Sequence, residues 1–363
     1  MTGRPTPTAN EPAVITFRGD SLENSYIAHV AVVDADGTVL MGFGDASRKT
    51  LARSAAKPAQ ALGVLESGAF ERFDFDEADL ALMCASHSSE SRHIERTLSM
   101  LSKVGRQESD LRCGSHVPIS DAVHREWIKR DFVPTPVCSN CSGKHVGMLG
   151  GAQALGQSIG DYHLHDHPVQ QLVKKVVAEA VNLPFNAVDW AIDGCNLPTP
   201  AFPLDRLAYL YASLAHAADA VDAGGAAISP RTASLARIFH AMTRYPELVA
   251  GEGRFCTLLM QAFGGAVVGK LGADACYGIG IRATDQTRRL GAKGAIGLSV
   301  KVEDGNMDVL YMLVSEVLER LGIGAAEQRA ALDAFHHPRM LNTRGIVVGH
   351  VEYPFTLRSV SGA

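Results

Sequence analysis

The feature that most limits what this chain can fold into is the position of its strand-like segments, which cluster near its two ends. Residues 25–33 and 38–43 carry strand patterns on either side of Asp34-Ala35-Asp36-Gly37, the arrangement of a hairpin. Strand patterns return only at 275–281, 294–302 and 345–351, with a helical stretch at 307–321 before the last of them. From about residue 94 to residue 260 the pattern is mostly helical and broken by Gly, Pro and Asn, as at 169–181 and 204–218, the latter followed by a Gly/Pro loop at 223–230. A sheet drawing strands from both ends is closed by the two termini, so the helical middle is an insertion. The expected class is α+β, a mainly antiparallel sheet with a helical insertion. In residues, this means a flexible lead-in at 1–12 and a single domain over 13–363. Its sheet part would be 13–60 and 265–363, and its mostly helical part 61–264.

At 363 residues the chain can bury a substantial core, and 46% hydrophobic against 20% charged residues is ordinary globular composition. A net charge of −5, with no Lys/Arg stripe, gives no electrostatic case for nucleic acid or an anionic membrane. Apolar runs such as 80–85 are far too short to span a bilayer, and the polar, Pro-rich first dozen residues read as no signal peptide. Seven cysteines, an odd number without an export signal, point to reduced thiols in the cytoplasm.

The first chemical candidate is Arg53-Ser54-Ala55-Ala56-Lys57, at the start of a helix expected over 54–65. Residues three apart on a helix share a face, so Ser54 and Lys57 can meet. A neutral lysine is a base able to activate a serine hydroxyl. Pro58 belongs in a first turn and biases Lys57 away from helical geometry, so this turn should be irregular. The bland alternative is a serine cap followed by a surface lysine. Cys84-Ala85-Ser86-His87-Ser88 ends a buried run and reads either as a reactive serine or as a helix start.

Cys138-Ser139-Asn140-Cys141-Ser142-Gly143-Lys144-His145 packs two thiols, a lysine and a histidine together. Its Cys-x-x-Cys spacing suits zinc, but further ligands are needed, with Cys195 in Asp193-Gly194-Cys195 the best remote candidate; two unrelated thiols is the alternative. His163, His165, Asp166 and His167 resemble a metal motif, yet Pro168 makes Asp166 and His167 natural helix caps. The run from Gly264 to Leu271 nearly spells a phosphate-binding loop but has Leu271 where Ser or Thr must hold magnesium. Lys270, amid glycines, is expected just before the first C-terminal strand.

Taken in order, Arg53-Ser54-Ala55-Ala56-Lys57, Cys84-Ala85-Ser86-His87-Ser88, Cys141-Ser142-Gly143-Lys144-His145, Asp193-Gly194-Cys195 and the run from Gly269 to Tyr277 resemble one family. It is the rhizobial-type L-asparaginases, the bacterial asparaginase II family distinct from the threonine-nucleophile enzymes, and the resemblance runs from Tyr26 to about Val351. It implies a serine β-lactamase/penicillin-binding-protein-like fold, a homodimer, and hydrolysis of L-asparagine through a serine acyl-enzyme. It further implies Ser54 as nucleophile with Lys57, and Ser86 with Lys270 as a second Ser-Lys tandem. Arg53, His145 and Asp193 would surround the amino acid. Cys141, Lys144 and Cys195 would hold Zn2+ with water, Cys138 would not be a ligand, and the metal would shape the pocket rather than activate the nucleophile.

A lysine base at neutral pH needs its ordinary pKa of about 10.4 depressed by burial or positive charge, which Arg53, a second lysine and zinc would supply. A β-lactamase or penicillin-binding activity is the alternative on the same fold, but Lys270-Leu271-Gly272 lacks the hydroxyl residue of its Lys-Thr-Gly motif and no Ser-x-Asn occurs. A non-catalytic zinc- or amino-acid-binding relative is the other.

Overall fold

The computed structural model describes residues 11–224 and 228–359. The expected N-terminal lead-in falls, up to residue 10, outside the described residues, as do residues 225–227 of the expected Gly/Pro loop. The chain forms two compact units, one comprising Met1–Ala55, Phe202–Asp219 and Leu258–Ala363, the other Ala56–Ala201 and Ala220–Thr257.

The first unit holds a six-stranded sheet in the order Arg358–Ser359, Val39–Phe43, Ala28–Asp34, Ile296–Val302, Cys276–Ile281, Val267–Gly272. Its ladders are antiparallel, and its two central strands come from opposite ends of the chain, with Val30 opposite Val300 and Val32 opposite Leu298. Every residue of Ala28–Asp34 and Ile296–Val302 is buried, so His29, Ser299 and Lys301 lie inside with the valines around them. The α+β architecture with an antiparallel sheet drawn from both termini is therefore observed.

The expected strand over 25–33 is two strands. Ser21–Tyr26 pairs with Val14–Arg18 in a separate four-stranded sheet, completed by Val347–Glu352 and Met340–Leu341, whereas Ala28–Asp34 enters the six-stranded one. The former is almost wholly exposed and the latter wholly buried, so the chain changes ladders at Ile27 without a Gly or Pro to mark the place. The turn itself is where expected: Asp34 Oδ1 accepts from the amides of Asp36 (3.0 Å) and Thr38 (2.8 Å).

Lys270 does not precede the first C-terminal strand but lies inside one, Val267–Gly272, opposite Gly278. Its neighbours Gly269 and Gly272 depress the strand pattern there. The helices Leu204–Asp222 and Met307–Arg320 form as expected, the latter capped by Asn306 Oδ1 on Val309 N at 3.1 Å.

The second unit is mostly helical. The helix Lys57–Glu66 has Pro58 in its first turn and packs on Ser142–Ala154 and Pro168–Ala180. Gly143 lets the start of Ser142–Ala154 approach Glu77–Met83: a Cβ there would stand 2.5 Å from the Leu82 carbonyl oxygen. His167 caps Pro168–Ala180 by accepting from Val169 N at 3.2 Å, as its position before Pro168 requires. A hairpin that sequence reading missed, Asp189–Ile192 with Pro198–Pro203, brackets the loop carrying Asp193 and Cys195. The three prolines of its second strand hide it.

Candidate active site

Ser54 sits in the 3-10 turn Arg53–Ala56 that runs into the helix Lys57–Glu66, the irregular turn that Pro58 predicts. Arg53 has φ +48°, a left-handed conformation that costs a non-glycine residue energy and that clusters at functional sites. Two contacts within the first unit hold the turn: Tyr211 Oη donates to the Ala55 carbonyl at 2.8 Å, and the Arg53 guanidinium pairs with Asp274.

Gly272 abuts the same turn. A Cβ at 272 would lie 2.4 Å from the Ala52 carbonyl oxygen and 3.2 Å from Ala55 N, so the backbone around Ser54 would have to move. Gly272→Ala is expected to lower kcat/KM about 10²-fold by displacing the serine. Circular dichroism should show the fold retained, and a variant within threefold of wild type would mean that the turn yields without moving Ser54. Lys270, buried in the same strand, donates to the Leu271 carbonyl at 2.7 Å.

The other half of the candidate chemistry lies in the second unit. Lys57 is fully buried, and its Nζ donates to the Ala85 carbonyl, to Ser86 Oγ at 3.2 Å and to the Asn140 carbonyl at 3.4 Å. No carboxylate pairs with it among the described residues. Ser86 is neither helix cap nor helix start. It lies in an extended segment between the helices Glu77–Met83 and Ser91–Lys103, its amide bonded to the Val249 carbonyl at 2.9 Å. Its neighbour His87 is a local hydrogen-bonding residue: Nδ1 accepts from Ser89 N (3.1 Å) and Nε2 pairs with Ser142 Oγ (2.8 Å).

His93 stacks on His87 with ring centroids 4.9 Å apart; its Nδ1 accepts from Glu90 N and its Nε2 bonds the Glu247 carbonyl. Burial pushes His93 down to about 4 and His87 well below the ordinary histidine range. A histidine depressed in the folded state favours folding fully above its unfolded pKa near 6.5, and that stability is lost as pH falls from there toward 4. Urea unfolding is expected to show a loss of up to about 3 kcal/mol between pH 7.5 and pH 4, shallower in His93→Gln. Equal slopes in the two proteins would remove His93 as the cause.

The first turn of Ser142–Ala154 buries Lys144 and His145, and the hairpin loop brings Cys195 to them. Lys144 Nζ lies 3.4 Å from Cys195 Sγ, and the Cys141 thiol, which donates to Asn140 Oδ1 at 3.1 Å, also stands in hydrogen-bond contact with Cys195. That contact between the sulfurs pushes Cys141 up to about 12 and Cys195 well below the thiol range, while the sulfurs hold Lys144 above the usual lysine value despite its burial. The cluster thus sets two sulfurs against one buried amine, with Cys195 the more readily ionised of the two sulfurs. A Zn2+ ion would displace protons from these donors, and three protein donors would leave a fourth tetrahedral position open. The donor set fits zinc.

Cys138 stays outside this group. It ends a short turn through its amide bond to the Thr135 carbonyl. His165 is engaged by Lys174 at 2.6 Å, and His167 serves as the cap. Among the described residues, the group of His and carboxylate side chains close enough for a metal is Glu319, His336 and His337, in the first unit. His336 there already has both nitrogens near carboxylates, Glu316 at 2.7 Å and Glu319 at 3.5 Å.

His145 is fully buried and pushed down to about 3 by burial, then by the Lys144 charge. Its Nδ1 bonds Tyr162 Oη at 2.6 Å, and its Nε2 has no partner with bonding geometry, although the Cys195 backbone bears on it. Asp193 is half-buried and accepts from Gly194 N at 2.8 Å. In the second unit the fold therefore gathers Lys57 with Ser86, and Cys141 with Lys144 and Cys195. Ser54, Arg53 and Lys270 stand in the first unit. Sequence reading missed Tyr162, which carries no motif, and gave no role to Asn140 inside the Cys138–Cys141 motif; both are found only through their bonds.

No curated protein matches the chain. Among solved structures, a Bacillus glutaminase in the presence of 4.3 M NaCl is similar over 82% of this chain and 91% of its own, at 12% identity and a TM-score of 0.36. Mglu is similar over 82% of this chain and 69% of its own, at 16% identity and a TM-score of 0.32. Likenesses so distant carry neither fold nor chemistry. The family model for L-asparaginase II matches residues 14–353, and the chain belongs to that family.

Proposed function

We propose that the chain is an L-asparagine amidohydrolase, releasing L-aspartate and ammonia through a serine acyl-enzyme. The observation that carries this reading is Lys57, a fully buried lysine whose Nζ contacts a serine hydroxyl and two carbonyls. An amine held in contact with a serine hydroxyl in a buried site is the arrangement in which a lysine can serve as the base of a serine nucleophile. Family membership supplies the substrate class. Ser54 is the nucleophile, next to the strained Arg53, and Lys57 takes its proton. Attack on the side-chain amide gives a tetrahedral intermediate, the proton taken from Ser54 passes to the amide nitrogen, ammonia leaves, and water hydrolyses the ester. Ser86 and Lys270 serve proton transfer as the second tandem. Arg53, His145 and Asp193 bind the α-carboxylate, an oxygen and the ammonium of the amino acid, substrate displacing Asp274 from Arg53.

Cys141, Lys144 and Cys195 would hold Zn2+, which supplies pocket shape and positive charge. Chelation is accordingly expected to raise KM for L-asparagine at least tenfold and to change kcat less. A loss confined to kcat would make the metal part of the chemical step. The enzyme is taken to act as a homodimer in the cytoplasm.

The direct test is ammonia release by the purified protein from L-asparagine and from L-glutamine. Release from asparagine with at least tenfold higher kcat/KM supports the reading, and release from neither sinks it. A second reading has its own support: the Lys57–Ser86 contact at 3.2 Å makes Ser86 an eligible nucleophile.

A further inference from the structure

We propose that Tyr162 is a positioning residue that locks the His145 imidazole in its Nε2–H tautomer, so that the site offers a hydrogen-bond donor to an oxygen of the substrate. Tyr162 is fully buried, and its phenolic oxygen has two partners, Arg112 N at 2.8 Å and His145 Nδ1 at 2.6 Å. A backbone amide only donates, so the phenolic oxygen is the acceptor toward Arg112. The phenolic hydrogen then has one place to go, His145 Nδ1, which must carry a lone pair. In the opposite tautomer the amide and Nδ1–H would both donate to that oxygen, and the hydroxyl hydrogen would be buried without an acceptor, an arrangement native interiors rarely tolerate.

The consequence lies on the other side of the ring. With Nδ1 accepting, the proton sits on Nε2, which is buried and has no partner with bonding geometry. Although the Cys195 backbone bears on this nitrogen, an N–H with no acceptor in bonding geometry is complementary to a carboxylate or amide carbonyl oxygen and offers nothing to an ammonium. The same residue that bonds Tyr162 also holds the Asp193 loop: the Arg112 carbonyl accepts from Asn196 Nδ2 at 3.1 Å, and Asn196, at φ +71°, belongs to the loop of Asp193 and Cys195. Tyr162 is itself held by Gln170, whose Nε2 donates to the Tyr162 carbonyl at 2.8 Å. Arg112 thus sets His145 through Tyr162 and the Asp193 loop through Asn196. The inference rests on the reading that His145 faces the substrate.

The test is 15N NMR of the full-length protein labelled at histidine, with assignment through His145→Gln. The wild-type spectrum is expected to show His145 as the Nε2–H tautomer, and Tyr162→Phe to shift it toward Nδ1–H. Tyr162→Phe should raise KM for L-asparagine roughly tenfold with kcat changed less than threefold. In His145→Gln, whose amide keeps a donor near the Nε2 position, adding Tyr162→Phe should leave KM unchanged within twofold. A wild-type Nδ1–H tautomer, or an unmoved tautomer in Tyr162→Phe, overturns the proposal whether or not the variant folds well. The predicted tautomer in a protein that releases no ammonia supports the lock and overturns the asparaginase reading instead.

Discussion

Ser54→Ala is expected to lower ammonia release from L-asparagine at least about 10³-fold while L-aspartate still binds. Loss of an acyl-enzyme nucleophile leaves only binding and electrostatic catalysis, and that residue is small beside the full rate. Ser54 stands apart from the other serines because of its setting. Its turn is fixed by Tyr211 and by the close approach of Gly272, and the residue before it has φ +48°. Such strain next to a side chain holds its hydroxyl in one place at a cost the surrounding packing must bear. Ser86→Ala, by contrast, should cost about 10–100-fold, the size of a lost proton-transfer partner. Single-turnover kinetics with intact-mass detection of the ester decides between them. A covalent adduct surviving in Ser54→Ala and vanishing in Ser86→Ala would reverse the roles and make the Lys57–Ser86 pair the catalytic one.

The parts of this molecule that could be read from sequence are those written in one local pattern. The turn at Asp34–Gly37 shows in its Asx residues and glycine, the cap at His167 in the proline that follows, and the irregular turn at Ser54 in Pro58. The buried central strands declare themselves by their β-branched residues. What stayed hidden depends on partners distant in sequence. The change of ladder at Ile27 is a change of neighbour, and nothing in residues 25–33 marks it. The strand that contains Lys270 is diluted by two glycines, Gly272 where the Ser54 turn presses against it and Gly269 where Leu259 and Tyr277 do. The hairpin that presents Asp193 and Cys195 is disguised by prolines. At the site, the family resemblance picked out Cys141, Lys144 and Cys195, but neither the contact of the two sulfurs nor the bond from Tyr162 to His145 follows from any spacing. Both exist because the hairpin loop and the segment around Arg112 meet the start of one helix.

Lys57→Met should reduce kcat by about 10³–10⁴-fold with KM within a few-fold of wild type, the signature of a group needed only in the transition state. Methionine matches the lysine stem in volume, so the core around a residue with no exposure need not collapse. Its loss leaves the Ala85 and Asn140 carbonyls and the Ser86 hydroxyl without their donor, costing about 1–3 kcal/mol. Relief from burying an amine offsets part of that, so melting should fall by a few degrees at most. Lys57→Arg separates the two things a lysine can supply. Arginine keeps the positive charge and cannot give up its proton at any working pH, so it tests the charge without the base. If Lys57 is the base, the arginine variant is as inactive as the methionine one. If it retained activity within tenfold of wild type, Lys57 would be acting as a cation toward the developing oxyanion, and the proton would have to go to another group, with Lys270 the first to examine.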